Sequence, residues 1–376
     1  MSLERPSWLG AYDLALLAPA LALTLIGLLT MSTFGVGSSL AGRQALWLAL
    51  GTCAYLLFAT LDLRVIRRAP VVLALYGTAL ALLALLFVLA HAVMGARSWF
   101  TLGSLSFQPA DFAKLALIAL LAKYLSRRHV EIGDIRHIIV SGAYAFALVF
   151  LVLLEPDLGT AIILSSIWLG LMLLSGISKK HLGALICLGL IAAAGLWYGG
   201  LHEYQRARIL AFVNPAADLH GAGYNAYQAK VAVGSGQWLG KGIGYGTQSK
   251  LRFLPEYQTD FIFAAYAEEW GFVGVALALA LYGILLYRLA ALARKSATNF
   301  DAFFTLGVLI LLATHIAVHA GISLGMLPVT GTTIPFMSYG GSHILLEFSL
   351  LGIVTSLARH GRAAARDASS NEYVGG

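Results

Sequence analysis

Ten continuous apolar runs, at 12–33, 44–61, 71–94, 109–125, 138–154, 158–177, 182–199, 261–288, 302–325 and 343–358, restrict this chain to one environment. Each is long enough, or nearly so, to cross a hydrocarbon core of roughly 30 Å as a helix of about 20 residues. In lipid every backbone N–H and C=O must be satisfied by the protein itself, so only helices and closed barrels span. A barrel would show short alternating segments, whereas these runs are unbroken Leu, Ala and Val. The expected fold is an all-α integral membrane protein of about ten transmembrane helices. Only 11% of the residues are charged, against about 25% in soluble domains, which excludes an ordinary globular protein and a nucleic-acid module. The first run is too long for a cleaved signal peptide, and nine more spans follow it. Cys53 and Cys187 both lie in apolar runs and imply no disulfide framework.

Lys and Arg set the orientation. Arg5, Arg64, Arg67, Arg68, Lys123, Arg127, Arg128, Arg136, Lys179, Lys180, Arg288, Arg294, Lys295, Arg359, Arg362 and Arg366 all fall in segments that become cytoplasmic when both termini are placed there. The short loops on the other side hold Arg43 and Arg97, with Lys114 just inside the fourth run. The long loop at 200–260, between helices seven and eight, is exempt because of its length and becomes a large extracytoplasmic segment. Residues 1–360 then form one polytopic membrane domain. Residues 361–376 form a polar cytoplasmic tail, small-residued and expected to be disordered.

Carboxylates show the opposite bias. Asp111, Glu155, Asp157, Glu203, Asp218, Glu256, Asp260 and Glu347 fall at or near outer helix ends or in outer loops, so the polar chemistry is expected on the outer side. The fourth helix opens with Gln108-Pro109-Ala110-Asp111, and Lys114 shares a face with Asp111 three residues away. The two form either a self-satisfied ion pair or a cation held towards a cavity, and ionisable groups at this depth are functional candidates. Arg97 precedes Trp99, which alone would be an ordinary interfacial aromatic. Asp157, in Glu155-Pro156-Asp157-Leu158-Gly159-Thr160, either caps the sixth helix or serves chemistry.

In the long loop, 202–212 and 224–233 are expected to form amphipathic helices lying on the membrane. The glycine-dense stretch from Gly234 through Lys241 to Gln248 and Ser249 could bring backbone amides up to an anion. It is not a Walker A loop, and as a bare glycine-rich stretch it reads more readily as a flexible turn. Leu254-Pro255-Glu256-Tyr257-Gln258-Thr259-Asp260 then leads into the eighth helix. Asp260 is either an N-cap or a carboxylate at the rim of a cavity, where desolvation would raise its pKa and suit it to general-base work. Glu268, two turns deeper, is assigned to structure. Pro328–Gly331 and Pro335–Ser342, with Ser338 and Ser342, interrupt the last two helices, and irregular backbone at this depth requires protein or a wet cavity beside it. His315 and His319 have a metal-like spacing, but core histidines fit better in the absence of a nearby carboxylate in sequence.

Together, Gly95–Trp99, Phe107–Lys114, Asp157–Thr160, Gly221–Gly246, Leu254–Ala264, Pro328–Gly331 and Ser338–Ser342 resemble, in order and over nearly the whole chain, the SEDS family (shape, elongation, division and sporulation). Gly221–Asn225, Gln228, Lys230 and Gly246–Ser249 resemble its elongation branch more than its division branch. The resemblance implies a peptidoglycan glycosyltransferase in the bacterial inner membrane that polymerises lipid II, with its active side outside, for cell elongation and rod shape. It implies Asp260 as the essential carboxylate, undecaprenyl-pyrophosphate-linked glycan as the growing chain and a class B penicillin-binding protein as transpeptidase partner. Arg43, Arg97, Trp99, Gln108, Asp111, Lys114, Asp157, Thr160, Lys241, Gln248, Ser249, Glu256, Thr259, Ser338 and Ser342 are the expected substrate contacts. A divalent cation, magnesium or manganese, would suit a departing pyrophosphate, and no ligand set for it is readable. The sequence departs from the family at Asp111, where Glu is commoner, at His319, where Asn is commoner, and at His343, where Ser or Thr is commoner. A lipid II flippase predicts internal repeats, and none is visible. A non-catalytic scaffold would not need carboxylates at the membrane rim.

Overall fold

The computed structural model describes residues 12–32, 38–89, 98–102, 105–128, 134–214, 221, 223–251 and 253–373. Ten long helices take up the ten apolar runs: α1 (Leu14–Ser32), α2 (Ser38–Thr60), α3 (Ala69–Leu89), α4 (Pro109–Arg128), α5 (Ile135–Leu154), α6 (Leu158–Leu174), α7 (Lys179–Gly195), α11 (Ile262–Arg294), α12 (Asn299–Ser323) and α13 (Gly341–Tyr373). Between α7 and α11 lie α8 (Glu203–Val213), α9 (Tyr224–Ser235) and the single turn α10 (Thr247–Lys250). The first two occupy the segments where amphipathic helices are expected. Among the described residues seven helices are long and apolar enough to cross a membrane, namely α1, α3, α5, α7 with its π-helical extension to Gly200, α11, α12 and α13 up to Gly361. The chain is thus a multi-pass membrane protein.

Three features differ from the sequence expectation. First, the fold is not purely helical: β1 (Phe100–Leu102) and β2 (Leu105–Phe107) pair antiparallel just before α4, with Phe100 opposite Phe107. Strand-favouring Phe and Leu on either side of Gly103-Ser104 account for it. Second, the tail does not lose its helix. α13 runs to Tyr373, through an Ala-Arg-rich stretch of good helix formers.

The third difference is a break in α11. At Gly271 the backbone turns to φ 63° and ψ −165°, a region open only to glycine. The Phe272 and Val273 amides would normally bond the Glu268 and Glu269 carbonyls. They donate instead to Gln237 O at 2.8 Å and Trp238 O at 3.1 Å, while Lys241 N and Gly242 N donate to Glu268 O and Glu269 O, both at 3.0 Å. The loop after α9 therefore plugs into the gap and satisfies both sides of it, as membrane-depth backbone requires. A continuous apolar run with one glycine carries no sign of this exchange.

α4 is the central helix. Ala110, Ala113 and the stretch Ala116–Ala122 are buried, and it packs against α3, α5, α6, α12 and α13. α7 lies at the periphery with no buried residue.

A Cβ at Gly271 would sit 2.2 Å from Gly240 N and 2.7 Å from Trp238 O. Gly271→Ala is therefore expected to destabilise the protein by about 3 kcal/mol, combining backbone strain with overpacking. Gly283→Ala, where a Cβ meets nothing within 4 Å, should leave the melting midpoint in detergent unchanged or slightly raised. Equal midpoints for the two variants would contradict this account of the break.

Candidate active site

A cavity of about 480 Å³ opens where the start of α4, the turn between α5 and α6, the end of the long loop and the two irregular segments before α13 converge. Its lining includes Trp99, Gln108, Asp111, Lys114, Asp157, Thr160, Thr259 and Asp260, eight residues expected from sequence to act together although 161 positions separate the first from the last.

Each wall has a local cause. Asp111 and Lys114 rise from the first turns of α4 as a buried ion pair, Nζ to Oδ1 at 2.9 Å. The Ser342 hydroxyl donates to Asp111 Oδ2 at 2.9 Å, and His343 Nδ1 lies 3.4 Å from Oδ1. His343 Nε2 in turn sits 2.8 Å from Glu347 Oε1, whose other oxygen accepts the Phe336 amide at 2.8 Å. Asp157 does both things the sequence left open. It caps α6, accepting from Thr160 N at 2.9 Å and Thr160 Oγ1 at 2.7 Å, and it lines the cavity, accepting from Gln108 Nε2 at 3.2 Å. Gly159 permits the fit, because a Cβ there would lie 2.6 Å from Thr332 Cγ2 and 2.9 Å from Thr330 O.

For Asp260 the cap alternative fails. The N-cap of α11 is Phe261, with no side-chain cap bond, so the Asp260 carboxylate is left for the cavity. The turn that carries it is pinned from both sides: Asp260 N donates to Glu256 O at 3.1 Å, Ser338 Oγ donates to Thr259 O at 2.8 Å, and Tyr339 N donates to Gln258 O at 2.9 Å. Ser338 thus acts as a clamp, also accepting the Ile334 amide at 2.9 Å, and Gln44 Nε2 donates to its carbonyl at 3.1 Å. Burial pushes the Asp260 pKa up to about 7, with the Glu256 carboxylate adding to the shift and Arg208 opposing it. Glu256 itself is exposed and accepts from Thr259 Oγ1 at 3.3 Å. Glu155, beside Asp157, is buried and is raised to about 8 by that burial and by Asp157.

Several expected contacts among the described residues are not brought to the cavity. Arg43 is exposed on α2, and it is the next residue, Gln44, that turns inward. Arg97 lies outside the described residues. Lys241, Gln248 and Ser249 surround a carboxylate of the protein itself: Glu268 accepts from Lys241 Nζ at 2.7 Å, Thr247 N at 2.8 Å, Gln248 N at 3.1 Å and Ser249 Oγ at 3.3 Å. The glycine-dense loop is an anion cradle rather than the flexible turn its composition favours, and Glu268 fills it. Its glycines serve close packing, since a Cβ at Gly240 would lie 2.1 Å from Glu269 O.

Other lining residues escaped the sequence reading. Arg208 from α8 is half-buried, lies 5.6 Å from the Tyr204 ring centroid, and gives the cavity a second cation beside Lys114. Its only sequence signal is its place on an amphipathic segment. His315 also faces the cavity, with Nδ1 3.1 Å from Thr333 O, while His319 is the core histidine expected, 2.8 Å from Thr332 O. Among the described residues no three His, Cys, Asp or Glu side chains are grouped to hold a metal ion.

A model of the FtsW/RodA/SpoVE cell cycle proteins matches residues 9–363. The chain belongs to this family. It is 34% identical over 364 residues to the peptidoglycan glycosyltransferase MrdB of Escherichia coli K12, covering 95% of this chain and 97% of that one. It is 33% identical to stage V sporulation protein E of Bacillus subtilis, covering 86% and 87%. A chain solved as part of a peptidoglycan synthase complex that coordinates polymerization and crosslinking superposes with a TM-score of 0.80 at 33% identity, covering 93% of this chain and 98% of that one. The rod shape determining protein RodA of Thermus thermophilus gives a TM-score of 0.70 at 32% identity, covering 94% and 98%.

Because Glu268 holds the glycine loop with charge-assisted bonds, Glu268→Gln is expected to loosen residues 240–250. Trypsin should then cut at the exposed Lys250 at least about tenfold faster, the equivalent of losing one such bond. An unchanged cleavage rate would show that the loop is held by its backbone contacts alone.

Proposed function

We propose that this chain is a peptidoglycan glycosyltransferase that polymerises lipid II into glycan strands for cell elongation. The observation that carries this reading is the placement of one carboxylate raised to about 7, Asp260, in the same cavity as two cations, Lys114 and Arg208. Glycosyl transfer from a lipid pyrophosphate needs a base at the acceptor hydroxyl and positive charge at the departing pyrophosphate.

In the proposed reaction, Asp260 takes the proton of the acceptor sugar's 4-hydroxyl as that oxygen attacks the anomeric carbon of the growing chain. The bond from that carbon to the pyrophosphate oxygen breaks on the opposite face. The configuration inverts, and undecaprenyl pyrophosphate leaves with its negative charge facing Lys114 and Arg208. Asp111 holds Lys114 in place, Gln108 and Asp157 orient the neighbouring wall, and Trp99 offers an aromatic face at the rim. A divalent cation would enter on the substrate's own pyrophosphate, since the described residues form no cage for one, and no step here depends on it.

Ten helices cross the bacterial inner membrane in this reading, with both termini in the cytoplasm and the cavity opening outward, where lipid-linked substrate is presented. The partner is a class B penicillin-binding protein that cross-links the strands. Support comes from the Lys and Arg bias towards the far ends of the helices and from the synthase complex in which a similar chain was solved.

The reading is tested with purified protein and its cognate penicillin-binding partner on fluorescent lipid II, products being resolved as glycan ladders on a gel. Asp260→Asn should fold and bind substrate yet polymerise at least about 100-fold more slowly, the contribution expected of a positioned base. Ladders of parental intensity from that variant would remove the base role. Absence of ladders from the parent, with partner and divalent cation present, would favour transport. Arg208→Ala is expected to raise KM about tenfold through loss of one charge-assisted contact, and an unchanged KM would take Arg208 out of substrate binding.

A further inference from the structure

A second pocket, of about 240 Å³, lies between α3, α4 and α5. It is lined by Lys123, Tyr124 and Arg127 on α4, Tyr144 on α5, and an apolar wall that includes Val72 and Leu73 of α3. Lys123 stands nine residues beyond Lys114, and Arg127 thirteen. At 1.5 Å per residue that places them about 14 and 20 Å from the cation of the cavity, towards the opposite end of the central helix. The two spaces share no lining residue, although both are built on α4.

The lining has two parts with different chemistry. At one end are an ammonium and a guanidinium, and no acidic side chain is among the described lining residues. Lys123 spends one proton on the Arg67 carbonyl, which fixes its head at the pocket mouth and leaves two donors. Arg127 is exposed. At the other end Leu73 is 57% exposed on the outer face of α3, so the apolar wall continues onto a surface that faces lipid. Between the two parts stand the Tyr124 and Tyr144 rings, 6.3 Å apart and edge to face, with Tyr144 packed in the same way on Tyr76 at 5.8 Å. They make a rigid collar.

We propose that this pocket holds an anionic phospholipid, with its phosphodiester headgroup between Lys123 and Arg127 and the top of an acyl chain against Val72 and Leu73. The charge complementarity selects it. Two cations with no acidic neighbour in the lining leave a net positive site that a zwitterionic headgroup neutralises poorly, and basic pockets between helices on the positive side of a membrane protein are suited to such headgroups. The placement also gives the lipid something to do. α3, α4 and α5 meet at this pocket, and α4 carries Asp111 and Lys114 at its other end, so an occupied pocket fixes the helix on which the reaction chamber is built.

The test is native mass spectrometry of the detergent-purified full chain with equimolar phosphatidylglycerol and phosphatidylcholine of identical acyl chains, alongside melting midpoints with each lipid. The parent should retain phosphatidylglycerol several-fold over phosphatidylcholine and melt higher in its presence. Arg127→Glu, an exposed position, should cut that retention at least threefold. Leu73→Trp, which fills the apolar half without changing charge, should cut it as well. Equal retention of the two lipids by the parent, or phosphatidylglycerol retention unchanged in both variants, would overturn the proposal. If Arg127→Glu fails to fold, Leu73→Trp decides it alone.

Discussion

An ion pair buried in the middle of an apolar bundle governs the rest of this structure. Asp111 and Lys114 are both almost fully removed from solvent, on a helix surrounded by other helices, and charges in such a place must be paired and further hydrogen-bonded to be tolerated. Ser342 and His343 supply the additional partners, Glu347 balances His343, and Glu347 in turn holds the Phe336 amide. One charged pair on α4 thereby fixes the start of α13 and the irregular segment before it, which form the floor of the cavity.

The other walls follow from the need to satisfy backbone where helices stop. Ser338 bridges the Ile334 amide and the Thr259 carbonyl, and Tyr339 reaches Gln258. The loop after α9 repairs the break at Gly271. These ties hold irregular backbone rigid without filling the space between, so the cavity stays open while its rim is ordered. Around it the charges divide by place: Asp111, Lys114, Asp157, Arg208 and Asp260 line the cavity, whereas Glu268 is consumed by the loop it organises.

What could be read from the sequence is what short-range physics dictates. Apolar runs of spanning length became helices, the segments 202–212 and 224–233 became helices α8 and α9 within a residue or two, and carboxylates placed at helix ends came together because helix ends are where such a bundle has room. Asp157 was ambiguous for a physical reason, since a cap and a cavity wall ask for the same side chain. The failures are all long-range. Lys241, Gln248 and Ser249 pointed to an anion, but only the fold shows it to be Glu268, some twenty residues away. Arg43 lies on the exposed face of α2, one residue from the inward-facing Gln44, which charge bias along a chain cannot distinguish. Arg208 showed only as part of a loop helix and His343 only as a departure from the family, because the cavity and Asp111 that give them a role lie far away in sequence.

The account turns on Asp260 as a base whose readiness is set by its surroundings: burial raises it to about 7, and the neighbouring Glu256 contributes to that. A base must be unprotonated to act, so the rate should fall about tenfold per pH unit below that value and level off above it. The decisive measurement is the pH dependence of kcat/KM for glycan polymerisation by the parent and by Glu256→Gln. The account predicts an acidic limb near pH 7 in the parent that moves to lower pH when the Glu256 charge is removed. A limb that stays in place in the variant, or a parent profile flat through this range, would contradict it.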